Sequence, residues 1–135
     1  MEAEVRAELK QLNMLLHNYY TILQQSQESD AYLFEVSLNA DCSVYKGHFP
    51  GAPVSPGVCN IQMLKECLET ILGHTVLLDT IQQCRFTTLI TPVAYPVLEI
   101  RIYILQQEEG RVKFKATIGK GEEVYLELKA EAALS

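Results

Sequence analysis

Residues 47–58 read GHFPGAPVSPGV, and they carry the strongest fold signal in this chain. This stretch holds three prolines and three glycines in twelve residues, and this composition restricts the backbone tightly. It presents one histidine, His48, and leads into a predicted helix. A rigid loop that feeds the positive end of a helix suits the binding of a polarised carbonyl oxygen beside an imidazole base.

The residues after this loop predict one long, buried helix. Ser55 is a good N-cap and Pro56 suits the first helical position, so the helix should run to about Leu72 and stop at Gly73. Its apolar residues cover well over half of the circumference, which indicates deep burial. They are Val58, Ile61, Met63, Leu64, Cys67, Leu68, Ile71 and Leu72. A narrow polar stripe remains, formed by Gln62, Lys65, Glu66 and Glu69.

Alternation of apolar and polar residues predicts strands on both sides of the helix. The clearest runs are 31–38, 98–105, 111–118 and 124–131, while 76–90 is a mixed, β-branched run. A strand start near 19–25 and an amphipathic helix over 5–16 are also predicted. Turns at 108–110 and 119–121 join the last three strands into an antiparallel meander. The chain is therefore expected to form one α+β domain over residues 1–135, with the helix packed on one face of the sheet.

Composition narrows the classes of function. The net charge of −6 argues against a nucleic-acid binder, although Lys46, Lys65, Arg85, Arg111, Lys113 and Lys115 could form a local basic patch. The four cysteines show no C-x-x-C spacing, so neither a metal site nor a redox motif is expected. No apolar run has the length of a membrane span. The acidic N-terminus lacks the layout of a signal peptide, which favours a cytoplasmic location.

The run Gly47-His48-Phe49-Pro50, followed by Pro53, Pro56-Gly57-Val58 and the helix, resembles the 3-hydroxyacyl-[acyl carrier protein] dehydratases. These proteins have the hot-dog fold, in which a curved antiparallel sheet wraps a long central helix. Weaker similarities at Leu16-His17-Asn18-Tyr19 and at Arg85-Phe86 with Pro92 extend the match over most of the chain. The turn Val93-Ala94-Tyr95-Pro96 departs from the Gly-Asp that the family usually carries there.

The resemblance implies roles for particular residues. His48 would be the catalytic base, Phe49 would contact substrate, and the amides near Gly57 and Val58 would polarise a thioester carbonyl. The second catalytic position falls on Gln62, where the family carries a glutamate or aspartate. An amide cannot donate a proton in a usable pH range, so Gln62 could hold a water or the substrate hydroxyl but could not act as the acid. Glu66 is displaced from it by ~6 Å along the helix, too far to replace it in the same substrate pose.

Three functions remain open at this point. The first is dehydration of a 3-hydroxyacyl thioester, carried on acyl carrier protein or coenzyme A, in fatty-acid or related acyl-chain synthesis. The second is a weak or silent hot-dog subunit that binds acyl chains or pairs with an active partner, and the third is a thioesterase. The resemblance also implies sites formed between subunits, and hence at least a homodimer, with a hetero-partner possible.

No cofactor and no metal are expected. His17 and His74 are interpreted as structural or exposed, and Cys59 is a weak candidate nucleophile.

Overall fold

The computed structural model describes residues 15–46 and 55–135. In these ranges one α-helix, α1 (Gly57–Leu72), accompanies six strands: β1 (Tyr20–Glu28), β2 (Ala31–Leu38), β3 (Val76–Phe86), β4 (Val97–Glu108), β5 (Arg111–Lys120) and β6 (Glu123–Leu134). A single 3₁₀ turn, Ser43–Lys46, follows β2. The predicted helix and the meander strands are therefore confirmed.

All six strands belong to one antiparallel sheet in the order β1-β2-β4-β5-β6-β3. The meander β4-β5-β6 forms its middle, while β1 and β3 are its two edges. The predicted turn near residue 120 begins slightly later than expected, because β5 continues to Lys120 before the chain turns at Gly121.

The core lies between α1 and the sheet. Fully buried side chains of the helix pack in the same cluster as apolar residues from β2, β4, β5 and β6. The helix contributes Cys59, Met63, Leu64, Cys67 and Leu68, and the sheet contributes Phe34, Val36, Leu98, Ile100, Ile102, Phe114, Ile118, Leu126 and Leu128. Burying each large apolar side chain is worth about 1.5–3 kcal/mol relative to exposure, which is why the alternating pattern specifies the sheet face.

The C-terminal end of α1 matches the prediction, whereas the N-terminal end differs from it. Gly73 caps the C-terminus with φ 67°, as predicted. At the N-terminus the cap residue is Pro56, with φ −63° and ψ 139°, and not Ser55. The Ser55 hydroxyl lies 3.0 Å from the Tyr45 hydroxyl instead, so its side chain is engaged with the 3₁₀ turn rather than with the helix.

Two predicted apolar positions are exposed. Val58 is 49% exposed because it lies in the first turn, on the side of α1 that faces away from the core. Val124 is 42% exposed, while its neighbour Tyr125 is buried. A register shift between Ile118 and Gly119 in the β5–β6 pairing accounts for the change of face.

The helix predicted over 5–16 lies mainly outside the described residues. Leu15 and Leu16, its last two residues, are not helical; Leu16 forms a β-bridge with Tyr20. Within the described ranges, no helix is long and apolar enough to cross a membrane.

Three of the basic residues that could form a local patch are paired with acidic side chains. Arg111 pairs with Asp79 at 2.9 Å, Lys65 with Glu69 at 3.5 Å, and Lys115 lies 3.8 Å from Glu127.

Candidate functional site

The first turn of α1 presents backbone N–H groups at the helix end. The first four N–H groups of an α-helix have no acceptor within the helix, and Pro56 supplies no side-chain acceptor. The amides of Gly57 and Val58 are among these groups, and the helix dipole adds partial positive charge there. The local geometry therefore suits a partly negative oxygen, and the substrate-binding role of Gly57 and Val58 stays a prediction.

The ring of Phe86 lies against this helix end. A Cβ on Gly57 would be 3.3 Å from Phe86 Cζ, so glycine allows the ring to approach the first turn closely. Phe86 closes β3 and remains 53% exposed. An apolar surface thus borders the polar amides, a combination that fits a thioester with a hydrocarbon chain. The sequence had pointed to Phe86 only as part of a family similarity.

Two buried hydroxyl contacts lie beneath the start of α1. Tyr19 donates to Asn60 Oδ1 at 2.7 Å, and the Tyr45 and Ser55 hydroxyls lie 3.0 Å apart. The rings of Tyr19 and Tyr45 stack at 5.9 Å. Burial raises the pKa of both tyrosines, so both stay neutral and can donate. Tyr45 and Ser55 precede and follow residues 47–54 in the chain, and this contact brings those two flanks together.

Glu66 is the most highly connected polar side chain of the helix. It is only 6% exposed, and four donors reach its carboxylate. They are the Leu15 amide at 2.7 Å, the Leu16 amide at 3.0 Å, the Tyr20 hydroxyl at 3.1 Å and Gln62 Nε2 at 2.9 Å. Burial, and then the neighbouring Cys67 and Glu66, raise the pKa of Tyr20, so the tyrosine keeps the proton that it donates.

Gln62, the predicted second catalytic position, is half-buried and bonded to Glu66. The polar stripe expected from the sequence is therefore not uniformly exposed, because Glu66 is buried within it. Helical periodicity contained the missing signal: Glu66 follows Met63 by three residues and Cys59 by seven, and both of those are fully buried. The same spacing relates Asn60, which is 2% exposed, to Met63, Leu64 and Cys67.

His48 and Phe49, the predicted base and substrate contact, lie outside the described residues. The other two histidines, His17 and His74, are both exposed, as expected.

Cys59 is fully buried, and this burial argues against a role for it as a nucleophile. Burial raises the pKa of Cys67 to about 12, so this thiol is also unreactive near neutral pH. Among the residues that the structure describes, no three His, Cys, Asp or Glu side chains converge as metal ligands.

Comparisons with known proteins show that the chain is similar to dehydratases. The model of the ApeI-like family, described as ApeI dehydratase, matches residues 24–132. The 3-hydroxyacyl-[acyl-carrier-protein] dehydratase FabZ of Levilactobacillus brevis is 29% identical over 124 residues, which cover 82% of this chain and 81% of that protein. The FabZ of Lactiplantibacillus plantarum is 28% identical over 128 residues, 83% of this chain and 84% of that protein.

Solved structures share the fold. The dehydratase heterocomplex ApeI:P from Xenorhabdus doucetiae superposes with a TM-score of 0.65 at 18% identity, covering 83% of this chain and 96% of that chain. A putative thioesterase, yhdA of Lactococcus lactis, superposes with a TM-score of 0.60 at 12% identity, covering 87% of this chain and 92% of that one. The sheet, the central helix and the family match over residues 24–132 together place this chain in the ApeI-like dehydratase family, with a hot-dog fold.

Proposed function

We propose that this protein dehydrates 3-hydroxyacyl thioesters to 2-enoyl thioesters in fatty-acid or related acyl-chain synthesis. The observation that carries the proposal is the start of α1, where two first-turn amides adjoin the exposed ring of Phe86. The amides suit the thioester carbonyl, and the ring suits the acyl chain. The carrier would be acyl carrier protein or coenzyme A, and the predicted location of the reaction is the cytoplasm.

In this reaction His48 removes a proton from the carbon next to the carbonyl. The amides of Gly57 and Val58 stabilise the negative charge that develops on the carbonyl oxygen. The electron pair then forms the carbon–carbon double bond as the bond to the 3-hydroxyl breaks, and the hydroxyl leaves as water once it gains a proton. Gln62 can hold that hydroxyl but cannot protonate it, so the proton comes from the His48 imidazolium or from a group of a partner subunit.

His48→Ala tests the proposal. We expect loss of dehydration and of the reverse hydration with an unchanged melting temperature, because the role proposed for His48 is that of a base and not that of a packing residue. His74→Ala is the matched control, since His74 is exposed and lies beyond the far end of α1; it should retain full turnover. Equal turnover in folded His48→Ala and wild type would remove His48 from the mechanism.

A second candidate function is that of a subunit in a hetero-complex, weak or silent by itself. It is favoured by Gln62, which leaves this chain without a carboxyl at the position from which the family is expected to supply the acid. The related dehydratase from Xenorhabdus doucetiae is described as a heterocomplex. Assays of the pure chain with 3-hydroxyacyl and enoyl thioesters separate the two functions: turnover by the chain alone supports the first, and turnover only after a partner is added supports the second. Release of free thiol in the same assays would instead indicate the thioesterase alternative.

The edge strand β3 supports assembly with a second subunit. It exposes Leu77, Ile81 and Phe86, at 64%, 49% and 53%, and an unpaired apolar edge is a site for strand pairing. The opposite edge, β1, is mostly polar over Gln24–Glu28. We therefore propose a homodimer that forms along β3, with a related chain as the alternative partner at the same edge.

A further inference from the structure

The carboxylate of Glu66 determines which way the Gln62 amide faces. The oxygen and nitrogen of a glutamine side chain are normally assigned from their surroundings. Here the neighbour at 2.9 Å is Glu66 Oε2, which also accepts from the Leu15 amide, while Glu66 Oε1 accepts from the Leu16 amide and from the Tyr20 hydroxyl. An ionised carboxylate only accepts hydrogen bonds, and three other donors already reach that of Glu66. The group that Gln62 turns towards it must therefore be the donor, Nε2.

This orientation has a consequence at the opposite side of the amide. Because Nε2 is held by Glu66, the carbonyl oxygen Oε1 is the part of Gln62 that points away from the carboxylate. Gln62 itself is only half-buried, whereas Glu66 is almost fully buried. The acceptor that remains therefore belongs to Gln62, the less buried residue of the two.

Glu66 is itself held rigidly, from a distant part of the chain. The Leu15 and Leu16 amides and the Tyr20 hydroxyl lie about fifty residues earlier in sequence, and all three approach the same carboxylate. Side chains locked by such contacts keep the groups they touch within a narrow range of geometry.

We propose that Glu66 is a positioning residue that makes Gln62 a hydrogen-bond acceptor for the 3-hydroxyl group of the substrate. This inference rests on the proposed function, since it assumes that the acyl thioester binds beside α1. A 3-hydroxyacyl chain has an O–H to donate to Gln62 Oε1, whereas the enoyl product has none. Gln62, oriented by Glu66, thus favours binding of the hydroxyacyl ligand over binding of the enoyl ligand.

Binding measurements in the His48→Ala background test the proposal, because that variant does not interconvert the two ligands. The probes are 3-hydroxyacyl and enoyl pantetheine thioesters of equal chain length. Gln62→Leu removes the acceptor and retains the volume, and Glu66→Gln removes the charge that orients the amide. We expect each substitution to weaken binding of the hydroxyacyl ligand roughly tenfold and to leave binding of the enoyl ligand unchanged.

Glu69→Gln is the matched control. Glu69 lies one turn further along α1, where it accepts from the Val76 amide at 2.8 Å and pairs with Lys65, so its loss should not change the preference between the ligands. Equal weakening of both ligands by Gln62→Leu, or no weakening, would overturn the proposal. If Glu66→Gln does not fold, Gln62→Leu still tests whether Gln62 accepts a hydrogen bond from the substrate.

A readout that needs no thioester separates this inference from the proposed function. In wild-type protein, one Gln62 side-chain amide proton should resonate downfield and exchange slowly because it is bonded to Glu66; in Glu66→Gln that shift should be lost. If neither thioester binds to any variant, the proposed function fails and the acceptor role fails with it. If the thioesters bind but the Gln62 resonance is the same in both proteins, the orienting role of Glu66 is wrong and the proposed function stands.

Discussion

At the scale of single residues, the neighbourhood of position 62 decides what a carboxyl would do there. In Gln62→Glu the new side chain would meet the buried Glu66 carboxylate at hydrogen-bond distance, since Gln62 Nε2 now lies 2.9 Å away. Two carboxyl groups this close share a proton, which raises the pKa of one of them. We therefore expect the new glutamate to be protonated near neutral pH and able to act as an acid.

Gln62→Glu should accordingly raise the rate of dehydration, by up to the ~10²–10⁴-fold typical of general acid catalysis. Its stability should depend on pH in a defined direction. A raised pKa in the folded state stabilises the protein at low pH, and this stabilisation is lost as the pH rises through that pKa. Rate–pH profiles and melting curves check both effects; no gain in rate with lower stability at every pH would indicate a purely structural role for Gln62.

A second prediction at the residue scale concerns how the Cys67 thiol makes stability depend on pH. Its pKa is raised from 9.0 to about 12, first by burial and then by the nearby Glu66 charge. Because the folded state holds this proton more tightly than the unfolded state, stability is full below pH 9 and falls as the pH rises towards 12. At pH 10 this thiol alone should lower the free energy of unfolding by about 1 kcal/mol relative to its value below pH 8. Cys67→Ala, although less stable overall, should lose less stability than wild type between pH 8 and pH 10 in urea titrations.

At the scale of elements, the close approach of β5 and β6 explains why residue 119 is a glycine. A Cβ on Gly119 would clash with the carbonyl oxygen of Glu123, and this oxygen belongs to the backbone of the next strand, which cannot shift without disturbing the β5–β6 pairing. Gly119→Ala should therefore destabilise the protein by more than about 2 kcal/mol.

Gly73→Ala provides the comparison. Gly73 caps α1 with a positive φ, and a Cβ there would meet open space, so only the backbone conformation is penalised, by about 1–2 kcal/mol. Thermal unfolding of the two variants should rank Gly119→Ala as the less stable. The reverse order would mean that the β5–β6 turn can open without much loss of energy.

At the scale of the whole molecule, the two edges of the sheet differ in what they can bind. The protein should behave as a dimer in light scattering at micromolar concentration, with β3 at the interface. Ile81→Lys should shift it towards the mass of one chain, because an ammonium group would be buried against the partner. Leu23→Lys is the matched control, since Leu23 is equally exposed, 49%, on the other edge strand. A stable wild-type monomer, or equal dissociation of both variants, would contradict this assembly.

Elements whose signals are local can be predicted from the order of the residues alone. The apolar period of residues 57–72 and the glycine after them specify α1 and its end, since both depend on residues a few positions apart. The alternation in β4 and β5 likewise predicts which side chains enter the core. The run at 47–58 was sufficient to indicate the dehydratase-like family, which the match over residues 24–132 confirms.

Tertiary structure alone decided how the polar groups are paired. The donors of Glu66 at Leu15, Leu16 and Tyr20 are separated from it by 46 to 51 residues, and no helical period reveals such a partner. Ser55 was a sound N-cap by local chemistry, but its hydroxyl lies beside that of Tyr45, ten residues earlier. Local patterns report which side of an element is buried; a buried polar group also needs a specific donor or acceptor, and only the folded chain determines which one is within reach.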